Sequence, residues 1–529
     1  MYDYIVVGAG SAGCVLANRL SHNPANKVLL LEAGGSDWNP FVHMPAGVGE
    51  LLKSTWVNWY FHTAAEKNLA NRPLYWPRGK VLGGSSSMNG MVYIRGHPTD
   101  YDEWAQLGCH GWSWNEVLPY FKRSENFLAG ANEFHGTGGP LQVSSGRSGH
   151  RLFDLFIQAG QDAGLPYTPD FNGSQQEGVG PYHLTISQKG RRCSSAAAFL
   201  KPIRSRTNLD VQTQAHVTRI LFDGKKATGV EYHQKGQIKQ ARAAKEVLLC
   251  AGTVQSPQIL LLSGIGHRQT LQQFGIAVLQ HLPGVGQNLQ DHLDISIQTQ
   301  VTQPITLYAM TRPDKALRVL LQYWLLGSGL GRSNGLEAGA FVKTHPDLAK
   351  PDVQLHFIPT FMFDHGRKKV HDHGMMLHAC QLRPQSRGFV SLKSSNPFTA
   401  PLIQPNYLSA ENDINVMVAA VKIARALFSA KAFKAIIGEE YMPGKNIHTD
   451  ADIADFIRQS AETIYHPVGT CKMGIDDMAV VDTQLRVKGL ENLRVVDASI
   501  MPTLIGGNTN APTFMIAEKA ADFILGVQQ

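Results

Sequence analysis

A chain of 529 residues, 43% hydrophobic and 17% charged, has the composition of an ordinary globular protein and the length for about two to four domains with sizeable cores. Its formal charge of +7 is spread without a long Lys/Arg run, which argues against a nucleic-acid role and leaves open only a basic face toward anionic lipid. Six cysteines (Cys14, Cys109, Cys193, Cys250, Cys380 and Cys471) lie far apart with no C-x-x-C spacing, so neither a zinc knuckle nor a small disulfide framework is expected, and reduced buried thiols are.

The chain opens on the strand-like run Asp3-Tyr4-Ile5-Val6-Val7, breaks into Gly8-Ala9-Gly10-Ser11-Ala12-Gly13 and resumes as the helical pattern Val15 to Leu20. Gly8 suits the turn, Gly10 lets backbone approach a pyrophosphate, Gly13 lets the helix pack on the strand, and the helix N-terminus offers free N–H groups. A second apolar run, Lys27 to Leu31, ends at Glu32, where an acid binds a ribose hydroxyl pair and disfavours a 2′-phosphate. This βαβ unit predicts a dinucleotide and does not separate NAD from FAD. Because the strand starts at the third residue and no run of about 18 apolar residues follows, a cytoplasmic protein without a membrane span is expected.

After Glu32 the periodicity fades into loops and short turns holding Trp56, Trp59 and Trp76. The stretch from Trp76 to Gly90, with Gly83-Gly84-Ser85-Ser86-Ser87, can open a helix against a polar ligand. Strands are predicted at Leu209–Thr213, His216–Phe222 and Glu246–Gly252, the last feeding a helix-like segment that closes at Gly264 and Gly266. From about residue 300 to 450, alternating patterns such as Gly339–Lys343, Val353–Phe357 and Gly388–Leu392 predict an antiparallel sheet with one exposed face, in a second domain inserted into the first. Within it Asp314 to Leu326 reads as a helix with a basic edge and an apolar side, favouring a core or interface over a membrane surface. The turns Asp364-His365-Gly366 and His371-Asp372-His373 lack metal-site spacing and flank Lys368-Lys369, so no metal is expected. Near the end, His466 precedes a proline, Leu493–Ser499 reads as a short buried strand, and Gly506 to Thr513 opens a final helix, Phe514 to Leu525. A histidine can accept an alcohol's proton, and an Asn beside it can donate to the same oxygen.

Taken together, Gly79 through Asn89, Gly252 through Gly266, Tyr465 through Thr470 and Gly507 through Pro512 resemble the glucose-methanol-choline (GMC) oxidoreductase family from end to end. Val353–Phe357 and Asp364–Arg367 look closest to its bacterial, membrane-associated, FAD-dependent alkanol dehydrogenases of the AlkJ type. The resemblance implies an α/β (α+β overall) protein with a Rossmann-like FAD-binding domain at 1–155, 190–300 and 455–529, and a substrate-binding domain on a mostly antiparallel sheet at 156–189 and 301–454. It implies FAD, held by Gly8, Gly10, Ser11, Ala12, Gly13, Glu32 and Ala33 at the ADP part and by Val217 near the adenine. Gly84, Asn89 and Met91 would lie along the isoalloxazine, Asp497 and Asn508, Thr509, Asn510 and Thr513 around the diphosphate and flavin, with Trp76, Gly83, Gly90, Ala251, Gly252 and Ala498 completing the contacts. Met88 stands where some members attach FAD to a histidine, so FAD is expected to be non-covalent. His466 becomes the base and Asn510 its partner, while Glu337 is read as structural or gating. The expected reaction is oxidation of aliphatic or aromatic primary alcohols to aldehydes by hydride transfer to flavin N5, with a quinone or similar electron acceptor. An oxygen-using oxidase, a non-redox cyanohydrin lyase and an NAD-linked dehydrogenase are its rivals. Phe357, Phe361, Met362 and Phe363 are candidate walls of an apolar pocket, and peripheral contact with the inner membrane is left open.

Overall fold

The computed structural model describes residues 1–527 except Arg147, Thr311 and Lys369, so one member of the Lys368-Lys369 pair lies outside the described residues. Its first sheet contains five parallel strands in the order Leu493–Val495, Gln237–Leu249, Tyr2–Val7, Val28–Leu31 and Leu209–Gln212. Val28–Leu31 is buried at every position, which is why it reads as an unbroken apolar run and not an alternating one. The strand Gln237–Leu249 changes partners along its length. Its first part forms an antiparallel ribbon with Lys226–Gln234, itself paired with Ala215–Asp223, while Val247–Leu249 run parallel to Ile5–Val7.

The helix Ser11–Leu20 follows the first strand and packs beside the last helix, Asn510–Leu525, so the two ends of the chain meet at the nucleotide turn. Gly8 takes φ +99, and a Cβ on Gly13 would stand 1.9 Å from the Gly8 carbonyl oxygen. After Glu32 the expected loops contain two short helices, Pro40–His43 and Val48–Lys53, and a hairpin of Phe61–Glu66 with Arg72–Trp76. The stretch expected to open a helix makes one 3₁₀ turn, Gly84–Ser87, because Gly83 and Gly84 adopt φ +90 and +54.

The second sheet runs Ile437–Met442, Leu293–Val301, Gly374–Gln381, Val353–Ile358, Ala338–Val342 and Gly178–Pro181, with Glu462–Thr463 also on Leu293–Val301; every neighbouring pair is antiparallel. Alternation divides it into two faces. Leu293, Ile295, Ile297, Val353, Leu355, Phe357, Met375, Leu377 and Ala379 join one core with Met417, Val421 and Ala424 of the helix Glu411–Phe428. Asp294, Ser296, Gln298, His356 and His378 occupy the alternate positions and line an internal cavity. The face expected to meet solvent is therefore enclosed: Asp294, Gln298 and His356 are all buried. Phe357, expected as a pocket wall, points into the core instead.

The sheet draws strands from both sides of the expected domain limits. Gly178–Pro181 falls within 156–189, whereas Leu293–Val301 and Glu462–Thr463 come from the stretches 190–300 and 455–529. Phe389–Ser391 pairs with Leu402–Gln404 in a ribbon separate from that sheet. The expected amphipathic helix forms at Pro313–Leu326, capped by Gly327 at φ +59. No helix among the described residues is long and apolar enough to cross a membrane, and all six cysteines are buried and unpaired.

Alanine ordinarily improves a helix relative to glycine, yet the Gly8 contact reverses the sign at position 13. Gly13→Ala is expected to destabilise the protein by about 2 kcal/mol or more, read as a lowered unfolding midpoint; an unchanged or raised midpoint would contradict the close backbone contact.

Candidate active site

A cavity of about 1310 Å³ is lined from both sheets. At one end stand Gly8, Gly10, Ser11, Ala12, Glu32, Ala33 and Val217; Gly84, Asn89, Gly90, Met91, Ala251, Gly252, Asp497 and Ala498 follow, with Asn508, Thr509, Asn510 and Thr513 from the final helix and its approach, and His466. Gly13, Trp76 and Gly83 do not reach it. Gly13 is covered by the Gly8 carbonyl, Gly83 is the left-handed turn whose N–H donates to the Ala9 carbonyl at 2.8 Å, and Trp76 is buried in the second core beside Phe61 and Leu74.

The end expected to hold the dinucleotide is walled by bare backbone. A Cβ on Gly10 would meet nothing within 4 Å, whereas one on Gly84 would stand 2.7 Å from Gly10 Cα, so the two backbones form a close bare wall. Glu32 accepts hydrogen bonds from Ala9 N–H at 2.9 Å and Gly34 N–H at 2.8 Å, and burial pushes its carboxyl up to about 7. Asp497 accepts from Gly252 N–H at 2.9 Å and from Ser499 N–H at 2.8 Å, tying the second glycine-helix start to the C-terminal strand.

Each ring nitrogen of His292 and His466 has a partner whose chemistry fixes the protons. His292 Nε2 lies 3.2 Å from the Leu382 carbonyl oxygen, which can only accept, so that nitrogen bears the hydrogen. Burial pushes His292 down to about 3, so the ring is neutral and its Nδ1 offers a lone pair. His466 Nδ1, 3.0 Å away, must then be the donor. Burial first, and then the nearby His292, His356 and Arg78, hold His466 well below the usual imidazole range, which leaves Nε2 unprotonated. Asn508 Nδ2 donates to that atom at 3.1 Å. The orientation of Asn508 is set from its other side: its Oδ1 accepts from Gln354 Nε2 at 3.1 Å, which also donates to the Tyr182 hydroxyl at 3.1 Å, and Tyr182 donates to the Leu355 carbonyl at 2.9 Å.

Asn510, the expected partner of His466, is elsewhere. It is the first residue of the final helix and accepts from Ser11 Oγ at 2.6 Å, at the nucleotide turn. The turn at Thr509 sends the two asparagines to different ends of the cavity. The backbone of His466 is fixed by Asp291, which accepts its N–H at 2.7 Å and also takes the Thr463 hydroxyl at 2.6 Å and the Tyr407 hydroxyl. Tyr465, just before, has φ +73, a strained conformation for a side-chain-bearing residue, held by an Arg78 hydrogen bond of 2.7 Å to its carbonyl.

Glu337, read from the sequence as structural or gating, and Asp294, which the sequence did not single out, are placed differently. Glu337 does not line the cavity; Ser148 N–H at 3.0 Å, Ser148 Oγ at 2.8 Å and Ser333 Oγ at 2.5 Å occupy its carboxylate. Asp294 does line it, with Oδ2 on His378 and Oδ1 unpartnered. Polar residues recurring every second position in otherwise apolar strands were the available signal for Asp294, Ser296, Gln354 and His356; nothing in the spacing announced Asp291 or His292. His365 Nδ1 contacts the Tyr465 hydroxyl and His373 Nδ1 the Thr306 hydroxyl, so the two histidine turns are engaged separately. A tighter group of His135, Asp170 and His183 has its central ring bonded to Glu125 at 3.0 Å and Asp170 at 2.9 Å, and those carboxylates raise its pKa. Both ring nitrogens of His135 thus face carboxylate oxygens.

Between its unfolded and folded pKa values, His292 takes up a proton only in the unfolded chain, so its stability contribution is present above about 6.5 and is lost as pH falls toward 3. From about pH 7 to about pH 5 this residue alone should cost about 2 kcal/mol. Urea unfolding of His292→Asn is expected to show an acid loss smaller than wild type by about that amount; equal losses would show that the imidazole is not held neutral.

The N-terminal GMC oxidoreductase family model matches residues 2–294 and the C-terminal GMC oxidoreductase model residues 384–517. The chain is 50% identical to an alcohol dehydrogenase [acceptor] of Pseudomonas putida, over 99% of this chain and 96% of the relative. It is 48% identical to the mitochondrial choline dehydrogenase of Homo sapiens, over 99% of this chain and 90% of the relative. Among solved structures, pyridoxine 4-oxidase from Mesorbium loti superposes with a TM-score of 0.91 at 32% identity, covering 100% of both chains.

Proposed function

Because the chain belongs to the GMC oxidoreductase family, whose members here are FAD enzymes acting on CH–OH donors, we propose that it oxidises primary alcohols to aldehydes and delivers the electrons to a quinone or similar acceptor. The observation that supports this reading is the unprotonated His466 Nε2 on the cavity wall, whose lone pair is held by Asn508 Nδ2 until an alcohol hydroxyl displaces that hydrogen bond. Bound FAD supplies the acceptor for the hydride. The protein's own part is to receive the hydroxyl proton at His466 Nε2, to hold the alcohol oxygen with Asn508 Nδ2, and to keep water out with an apolar wall of Phe361, Met362, Phe363 and Ile464. Asn510 belongs to the nucleotide end, beside Ser11. Met88, buried in the cavity wall, offers no imidazole for attachment and supports non-covalent FAD.

A second reading, an amino alcohol bearing a cationic group, is favoured by the unpartnered Asp294 Oδ1 on the cavity wall and by similarity to a choline dehydrogenase. Anaerobic addition of each alcohol separates the readings. Aliphatic primary alcohols should bleach the flavin band under the first. Choline bleaching it alone, with the response lost in Asp294→Asn, would establish the second. An unbleached flavin with every alcohol would point to a lyase, and reoxidation faster by air than by a soluble quinone to an oxidase.

His466→Ala is expected to retain its yellow flavin and lose about 10²- to 10⁴-fold in turnover. Asn508→Ala should lower turnover with flavin content unchanged, whereas Asn510→Ala should lower flavin content first. The reverse pattern would return the role of partner to Asn510.

A further inference from the structure

Asp100 stands in the first turn of the helix Pro98–Gln106, and its Oδ2 accepts the His97 N–H at 2.9 Å, closing the helix start. Further donors share the carboxylate. Oδ2 also accepts the Gly506 N–H at 2.7 Å, while Oδ1 takes Lys350 Nζ at 3.0 Å and Arg383 Nη1. A capping acid needs no burial, yet Asp100 is 1% exposed. Burial pushes its carboxyl up, but Arg383, Lys350 and the Gly506 N–H outweigh it and hold the group below the usual carboxylate range.

Two of these contacts lead to the two ends of the hydrogen-bonded chain around His466. Gly506 lies just before Asn508, and Gln176 Nε2 donates to its carbonyl at 3.0 Å, so the residue is held at both its N–H and its carbonyl. Arg383 follows Leu382, whose carbonyl accepts from His292 and whose N–H donates to the Asp352 carbonyl at 2.8 Å. Arg383 Nε and Nη2 are buried without a partner among the described residues, which leaves Asp100 to place this side chain. The two arms also touch, since a Cβ on Gly506 would stand 2.3 Å from Arg383 Nη2. We infer that Asp100 is a positioning residue for the reaction at His466, its one carboxylate clamping the Leu382 and Asn508 ends together.

Donors converge on both oxygens of Asp100, so an amide of the same shape cannot replace it. Its nitrogen would face either Arg383 and Lys350 or Gly506 and His97, setting donor against donor. With one arm released, the Leu382 carbonyl no longer fixes the hydrogen on His292 Nε2, or Asn508 is free to turn its own carbonyl to His466 Nε2. The tautomer of His466 protonated at Nε2 then becomes available, and it cannot accept an alcohol's proton there. This role rests on the reading of His466 as the base, whereas the tautomer is measured without any alcohol.

Nitrogen-15 NMR of histidine-labelled holoenzyme, together with steady-state kinetics on the alcohol that bleaches the flavin fastest, tests it. Asp100→Asn should add a second neutral His466 signal, protonated at Nε2, and lower kcat about 10- to 100-fold with KM and flavin content nearly unchanged. Gly506→Ala, which crowds Arg383 without changing a charge, should do the same and decides the matter if Asp100→Asn fails to fold. Lys350→Met removes a cation from the same carboxylate and touches neither arm, so it should lower the melting temperature and leave kcat alone. A folded Asp100→Asn or Gly506→Ala enzyme with wild-type kcat, or a loss of kcat with a single wild-type His466 signal, would overturn the inference. So would an equal loss of kcat in Lys350→Met, which would reduce Asp100 to a stabilising ion pair. If no alcohol bleaches the wild-type flavin, the proposed oxidation fails, and the NMR comparison still decides whether Asp100 sets the tautomer.

Discussion

Leu382 presents His292 with a carbonyl oxygen, an atom that can accept a hydrogen bond and never donate one. From that contact the protons of two imidazoles follow in sequence, ending at an unprotonated His466 Nε2. A second carbonyl, that of Leu355, does the same from the other side through Tyr182, Gln354 and Asn508. Because both ends of the chain of bonds are backbone acceptors, rotating a side-chain amide or exchanging a tautomer would set two donors or two acceptors against each other within it. In a buried site, where an unpaired polar group costs about 1–3 kcal/mol, such closure makes one proton arrangement strongly preferred.

The fold exists, in this respect, to bring remote segments to one ring. His466 comes from the C-terminal part, His292 from the start of a strand in the second sheet, Leu382 from the end of its neighbour and Asn508 from the approach to the last helix. The same last helix places Asn510 on Ser11, so a single turn of backbone links the glycine turn to the surroundings of His466. The second sheet contributes through its alternation: one face is spent on the core with Glu411–Phe428, and the other, polar and buried, becomes the floor of the cavity.

Legibility in the sequence followed the range of the interactions. The nucleotide turn was readable because strand, glycines, helix and Glu32 are contiguous and each has a local reason to be there. The parallel strand Val28–Leu31 was readable from its unbroken apolar run. The role of Asn508 was not, since residues 508 and 510 are both asparagines in one turn and only the path of the chain through Thr509 separates them. Trp76 looked like a ring beside a cofactor and proved to be core, as large aromatics usually do. The alternation in Val353–Ile358 correctly gave a two-faced strand, but alternation cannot say whether the polar face meets water or an enclosed cavity.

The claim on which the rest depends is that His466 is neutral with its lone pair on Nε2. Nitrogen-15 NMR of histidine-labelled holoenzyme, with His466→Gln to assign the signal, measures it directly. The structure predicts a neutral ring protonated at Nδ1 at neutral pH, its Nε2 signal in the unprotonated range. An imidazolium signal, or a ring protonated at Nε2, would contradict it.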